Sequence, residues 1–163
     1  MQWLTLAAGI VLLASMAQAE TTIVRNGQTD YRIVTPDRPS PAVKTAAKEL
    51  QSFVYRIASV RMPIVTESRA ADAPAFLIGP CRHSAEAGLV DRASKLAEDG
   101  ILIKTLGRDI ALLGSNERGH LYSVYVLLEK FLGVRFLAWD CTIVPAAADL
   151  TLPEIDYAYP PPF

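Results

Sequence analysis

The sequence predicts an α+β domain in which a mixed β-sheet carries two main helices on one face. Three observations support this fold class: the order of the apolar segments, the chain length and the composition. Segments with strand and helix periodicity follow one another as strands, helix, strands, helix and strand. The chain has 163 residues, enough for one domain, and 51% of them are hydrophobic, which excludes disorder as the main state. A formal net charge of -1 argues against a nucleic-acid-binding surface.

The first 19 residues have the pattern of a secretory signal peptide. They are apolar over residues 3–14 and end in Ala17-Gln18-Ala19, a small-residue cleavage site. This apolar run is shorter than the roughly 20 residues of a membrane-spanning helix, which disfavours the alternative of an uncleaved anchor. The sequence therefore predicts export to the periplasm or the extracellular space, no stable membrane span, and a mature chain that begins near Glu20.

The mature chain opens with two short runs of β-branched and aromatic residues, 21–25 and 31–34. Between them, Asn26-Gly27 favours a tight turn, so the pattern predicts an antiparallel hairpin. Ser40 then predicts an N-cap, with Pro41 at the first helical position. The next apolar residues recur at helical spacing and predict one buried stripe: Val43, Ala46, Ala47, Leu50, Phe53, Val54 and Ile57.

The second half of the chain predicts more strands and a second long helix. The strands are expected at residues 75–79, 100–105, 109–114 and 134–137, with a short helix near 84–87. The second helix is expected to begin at a cap on Asn116 and to end at Gly133, and Gly119 allows it to approach a neighbouring strand closely. An extended tail over 149–159 leads to three prolines, which favour a stiff linker.

Metal and cofactor sites are not indicated by the residue pattern. Cys81, His83, His120 and Cys141 have none of the usual zinc-ligand spacings. Cys81 and Cys141 are instead candidates for a disulfide, because an exported protein folds in an oxidising compartment. The sequence thus predicts neither a metal nor a cofactor.

Several residues are candidates for binding. Arg118 and His120 near the start of the second helix could hold an anion or contact a partner, although this turn also fits a purely structural cap. Trp139, Tyr157 and Tyr159 are candidates for stacking on sugar rings. Tyr122 and Tyr125 of the second helix could join them, although their i, i+3 spacing equally fits packing at the domain edge. As alternative acids or bases, Glu98, Asp99 and Asp140 are available, but the sequence does not place two carboxylates across a cleft.

Several segments together resemble the N-terminal accessory domain of bacterial alpha-glucuronidases. They are residues 22–27 with 30–34, AAKEL at 46–50, FLIG at 76–79, DGILIKT at 99–105 and the block 118–137, of which the last is the most specific. The domain that precedes the barrel of beta-N-acetylhexosaminidases is similar in layout. The resemblance covers nearly all of residues 21–156.

The resemblance implies a small α+β sandwich, zincin-like but without a metal site, that precedes a (β/α)8 glycosidase barrel. The catalytic carboxylates of those enzymes lie on the barrel, so no catalytic residue is implied here, and whether this chain is itself an enzyme stays open. The implied organisation is a signal peptide at 1–19, the accessory domain at 20–156, and a Pro-rich linker or the start of a barrel at 157–163.

Three functional hypotheses follow. The leading one is a non-catalytic accessory domain of an exported, alpha-glucuronidase-like glycoside hydrolase of polysaccharide degradation, with the catalytic barrel as its partner in cis. The second is a stand-alone exported carbohydrate-binding module, whose partner would be a glycan. The third is a small hydrolase that uses Glu98, Asp99 or Asp140.

Overall fold

The computed structural model describes residues 20–138 and 140–160. The predicted signal peptide, Trp139 and residues 161–163 lie outside this part of the chain. The described residues form ten strands and four α-helices. Strands β1 to β10 are Glu20–Val24, Arg32–Thr35, Ile64–Thr66, Ala75–Ile78, Ile101–Leu106, Asp109–Gly114, Arg135–Ala138, Cys141–Ile143, Leu150–Pro153 and Asp156–Tyr159. Helices α1 to α4 are Pro41–Ala58, Arg82–Glu86, Leu89–Ser94 and Glu117–Val126.

The main sheet has six strands in the order β10-β5-β6-β4-β2-β3. Strands β2, β3, β4 and β6 run parallel, while β5 is antiparallel to both β6 and β10, so the predicted mixed sheet is confirmed. Side chains alternate between its faces: Phe76 and Leu112 enter the main core, whereas Leu102 and Leu113 pack with Leu89 of α3. Both faces of the sheet are therefore covered.

The two main helices, α1 and α4, pack together on one face of this sheet, as predicted. The Ser40 hydroxyl caps α1 by accepting a hydrogen bond from the Val43 N–H, and Pro41 occupies the first turn. All seven residues of the predicted apolar stripe of α1 are buried. A π-helical turn, Leu127–Phe131, continues α4, and Gly133 follows with a φ of 72°. The second helical segment thus ends where the sequence predicts.

The predicted N-terminal hairpin is wrong, although its turn forms. Asn26 and Gly27 both have positive φ, and Arg25 and Gln28 exchange two backbone hydrogen bonds across them. Beyond this bridge the strands separate, because the Thr29 hydroxyl donates to the Ile23 carbonyl and accepts from the Tyr31 N–H. Strand β1 pairs antiparallel with β9, and β2 enters the main sheet between β4 and β3.

The region predicted as an extended tail contains two strands. Strand β10 forms the edge of the main sheet, with Tyr157 opposite Ile103 and Tyr159 opposite Ile101 of β5. The sheet therefore includes three residues that the sequence assigns to a linker. The predicted strand at 134–137 belongs to a separate hairpin, β7 with β8. Over the described residues, α1 included, the helices are too short or too polar to cross a membrane.

Candidate functional site

A groove opens between α4 and the β10 edge of the main sheet, with a volume of about 500 Å³. We call it the α4–β10 groove. It is lined by Glu98, Asp99, Ile101, Arg118, Tyr122, Val126 and Tyr159. It thus joins Arg118, predicted as an anion or partner contact, with Tyr159, predicted as a sugar-stacking residue.

Helix periodicity and strand register build the walls of the α4–β10 groove. Arg118, Tyr122 and Val126 recur at every fourth residue and so lie on one side of α4. Tyr159 stands opposite Ile101 in the strand ladder, which places it across the groove from the helix. Tyr122 and Tyr159 are 41% and 45% exposed, whereas Ile101 at the base is buried. The middle of the groove is therefore an aromatic and aliphatic surface open to solvent.

One end of the groove is a charge cluster around Arg118. Its guanidinium Nη2 lies 2.8 Å from Asp99 Oδ2 and 3.2 Å from Glu98 Oε1. Asp99, whose φ of 57° turns the loop, also accepts a hydrogen bond of 2.8 Å from the Asn116 side-chain amide. Two carboxylates therefore face one guanidinium, and the cluster keeps one negative charge. This arrangement does not favour an anion at Arg118.

His120, the other candidate for anion binding, lies outside the groove and is only 9% exposed. Its Nδ1 accepts a hydrogen bond of 2.9 Å from the Gly114 N–H, so the ring is held as the neutral tautomer with its proton on Nε2. Burial lowers the pKa of His120, and the nearby Glu117 carboxylate opposes this only partly. His120 is therefore a structural residue that ties α4 to the end of β6.

This burial predicts a pH-dependent stability. The unfolded chain binds a proton at His120 more readily than the folded chain does. The free energy of unfolding should therefore be highest, as far as His120 decides it, above about pH 6.5 and should fall as the pH drops below that value. The loss should be at most about 1.4 kcal/mol for each pH unit, measured as the free energy of urea unfolding between pH 7.5 and 5.5. His120→Asn keeps an acceptor for Gly114 and should flatten this dependence. An unchanged pH profile in that variant would rule out His120 as the cause.

Close backbone contact positions α4 against the sheet. A Cβ atom built on Gly119 would lie 2.7 Å from the Gly100 carbonyl oxygen and 2.9 Å from Gly114 Cα. The expected role of Gly119 in close packing is thus confirmed. Because Gly100 precedes β5 and Gly114 ends β6, this contact fixes the helical wall of the groove relative to its base.

Two other candidate residues, Tyr157 and Asp140, do not line the groove. Tyr157 is half-buried, with its ring edge-on to Phe131 and the Lys130 Nζ 4.9 Å from its centroid. Trp139 lies outside the described residues. Asp140 is exposed in the turn between β7 and β8 and is not among the residues that line the groove with Glu98 and Asp99.

The two cysteines are free thiols in the structure, and no disulfide joins them. Cys81 is 1% exposed beneath the sheet, and burial raises the pKa of its thiol to about 12. Cys141 is exposed in the β7–β8 hairpin. Groups of three or more side chains able to hold a metal ion are absent from the described residues.

The sequence leaves Tyr122 open between sugar stacking and packing at the domain edge, and it does not single out Val126, yet both line the groove. The signal was available in principle, since Arg118, Tyr122 and Val126 form a second stripe on the helix, offset from the buried stripe that contains Val124 and Leu128. A stripe of one charged, one aromatic and one aliphatic residue does not by itself predict a buried face or a groove. This stripe lines a groove only because β10 lies opposite it.

Comparisons with known proteins give consistent results. The family model described as Glycosyl hydrolase family 67 N-terminus matches residues 16–127, more than half of the chain. Alpha-glucuronidase A of Emericella nidulans is 35% identical over 98 residues, which are 59% of this chain and 11% of that protein. The chain therefore matches only about a tenth of the length of this curated relative.

Solved structures share the fold at low identity. A family GH115 4-O-methyl-alpha-glucuronidase, BtGH115A, with specificity for decorated arabinogalactans, matches with a TM-score of 0.55 and 10% identity over 85% of this chain and 18% of that one. CpGH84D matches with a TM-score of 0.50 and 16% identity over 83% of this chain and 21% of that one. In both, the shared fold is a small part of a longer chain.

Proposed function

We propose that this chain, which belongs to the family described as Glycosyl hydrolase family 67 N-terminus, is a non-catalytic N-terminal accessory domain. The enzyme that contains it is an exported, alpha-glucuronidase-like glycoside hydrolase that degrades polysaccharide. The family match over residues 16–127 carries this proposal. The partner of the domain is a catalytic barrel that follows it in the same polypeptide. The predicted signal peptide supports export, and the length of the curated relative supports a much longer enzyme.

The arrangement of carboxylates supports a non-catalytic role. Glycoside hydrolysis needs two carboxyl groups that flank a sugar, about 5 to 10 Å apart. Glu98 and Asp99 are instead neighbours in sequence and share the guanidinium of Arg118 on one side of the groove. The sugar would have no second carboxylate across from them, because the opposite wall is Tyr159.

The intact mass of the native protein from its source tests the proposal. We expect a mass several times the 17.7 kDa of this chain. We also expect the isolated chain to leave an aryl alpha-glucuronide unhydrolysed, while the native protein turns it over. A native mass that matches residues 20–163 would contradict the proposal. Turnover by the isolated chain that Glu98→Gln abolishes would instead identify a small hydrolase.

A stand-alone carbohydrate-binding module is the second candidate. The observation that favours it is the pair of exposed tyrosines, Tyr122 and Tyr159, since aromatic faces stack on sugar rings. Titration of the isolated chain with neutral and acidic oligosaccharides separates the two candidates. Binding that Tyr159→Ala abolishes would support the module, and an absence of binding would remove it.

A further inference from the structure

We propose that the α4–β10 groove is the surface on which the catalytic domain of the same polypeptide docks. The partner segment would insert an apolar side chain between Tyr122 and Tyr159 and place a lysine or arginine beside Glu98 and Asp99. This inference rests on the proposed function and deepens it, because it names the docking surface and the chemistry of the segment that fills it.

The apolar middle of the groove fits an inserted side chain. Tyr122 and Tyr159 expose nearly half of their surfaces on opposite walls, with Val126 beside them and the buried Ile101 beneath. Aromatic side chains are enriched in the centres of protein interfaces, where each gains from the removal of water. An inserted aliphatic or aromatic side chain would contact both rings and the Ile101 side chain together.

The net charge at one end of the groove favours a basic protein segment over an acidic sugar. The cluster of Glu98, Asp99 and Arg118 keeps one negative charge, and the Glu98 side chain is 75% exposed. A glucuronate carboxylate would meet this negative charge, which disfavours its binding. A basic side chain of a partner would complement it and set the register of docking.

The chain leaves the main sheet beside the groove. Strand β10 runs antiparallel to β5, so Tyr159 lies opposite Ile101, the first residue of β5. Pro160 consequently leaves the sheet at the end of the groove, close to the loop that carries Glu98 and Asp99. A domain joined after this point begins at the groove, and a short connection gives it a high effective concentration there.

Tyrosine nitration with tetranitromethane, read by mass spectrometry of peptides, tests the proposal. Tyr55 on α1 is 48% exposed and lies outside the groove, so it is a matched control for Tyr122 and Tyr159. In the isolated chain all three should be nitrated. In the longer native protein, nitration of Tyr122 and Tyr159 should slow at least about tenfold relative to the isolated chain, because a docked interface excludes the reagent. Nitration of Tyr55 should stay unchanged.

The outcomes separate the docking surface from the proposed function. Unchanged nitration of Tyr122 and Tyr159 in a longer native protein overturns the docking surface and leaves the accessory role intact. A native protein no longer than this chain overturns both. Protection of the two tyrosines in the isolated chain by added glucuronic acid or a neutral xylo-oligosaccharide would assign the groove to a glycan and overturn docking.

A charge-reversal variant tests the basic side chain of the partner. In the longer protein, Glu98→Lys should raise the nitration of Tyr122 several-fold, because like charges would then face each other at the end of the groove. In the isolated chain the same substitution should leave nitration of Tyr122 unchanged, since Glu98 is exposed there. Continued protection of Tyr122 in the longer variant would overturn the inference of a basic partner.

Discussion

Gly114→Ala should destabilise the domain by at least about 3 kcal/mol, because a methyl group at this position overlaps backbone atoms that cannot rotate away. The added Cβ would collide with the main chain of Gly119 and His120 in the first turn of α4. Relief requires α4 to move off the sheet. That movement would break the hydrogen bond from the Gly114 N–H to His120 and displace the groove wall.

Urea unfolding followed by circular dichroism measures this effect. The matched control is Gly107→Ala in the turn between β5 and β6, where φ is +59° and a Cβ would meet no atom within 4 Å. That substitution should cost only about 1 kcal/mol, the penalty of a left-handed backbone. Equal losses in the two variants would show that α4 shifts freely and that the glycine contact does not fix it.

Local signals in the sequence predicted local structure well. The start of α1 followed from Ser40 and Pro41, and its buried face followed from the spacing of apolar residues. Each of these features is decided within one or two turns of helix, since a cap bonds to the N–H three residues ahead and a stripe repeats every 3.6 residues. The same reasoning placed the cap of α4 on Asn116.

Strand pairing was less accessible to sequence reasoning, because partners are distant in the chain. The Asn26-Gly27 turn forms as predicted, yet β1 pairs with β9, where Val24 stands opposite Leu150. Ile23 and Val24 are both buried there. A tight turn specifies the direction of two strands only when both also find their hydrophobic partners in each other. Here each strand has a better partner elsewhere.

The site was predicted in separate pieces. Arg118 and Tyr159 were identified individually, but their meeting depends on α4 packing across β5 and on β10 pairing at the sheet edge. His120 is a candidate contact for an anion or a partner on the sequence alone, a role that requires an exposed ring. The structure buries it instead, since its Nδ1 satisfies the Gly114 N–H at the close contact between α4 and β6.

Ending the chain at Asp156 should cost on the order of 3 kcal/mol relative to a chain that ends at Pro160, from lost ladder hydrogen bonds and the partial burial of Tyr157. The shorter chain retains the contacts of Ile155 with Thr105 and of Asp156 with Lys104, so the comparison isolates residues 157–160. A linker at these positions would contribute nothing to folding, whereas an edge strand packed on Phe131 contributes to both the sheet and the core.

The midpoint of urea unfolding for the two chains decides between these interpretations. Tyr157→Ala in the longer chain should reproduce about half of the loss, because it removes the ring but keeps the ladder. Equal midpoints for the chains ending at Asp156 and at Pro160 would contradict a stabilising role of β10 and would support the predicted end of the domain at Asp156. A lower midpoint for the shorter chain means that the wall carrying Tyr159 is part of the folded domain, so that the α4–β10 groove exists before any partner binds.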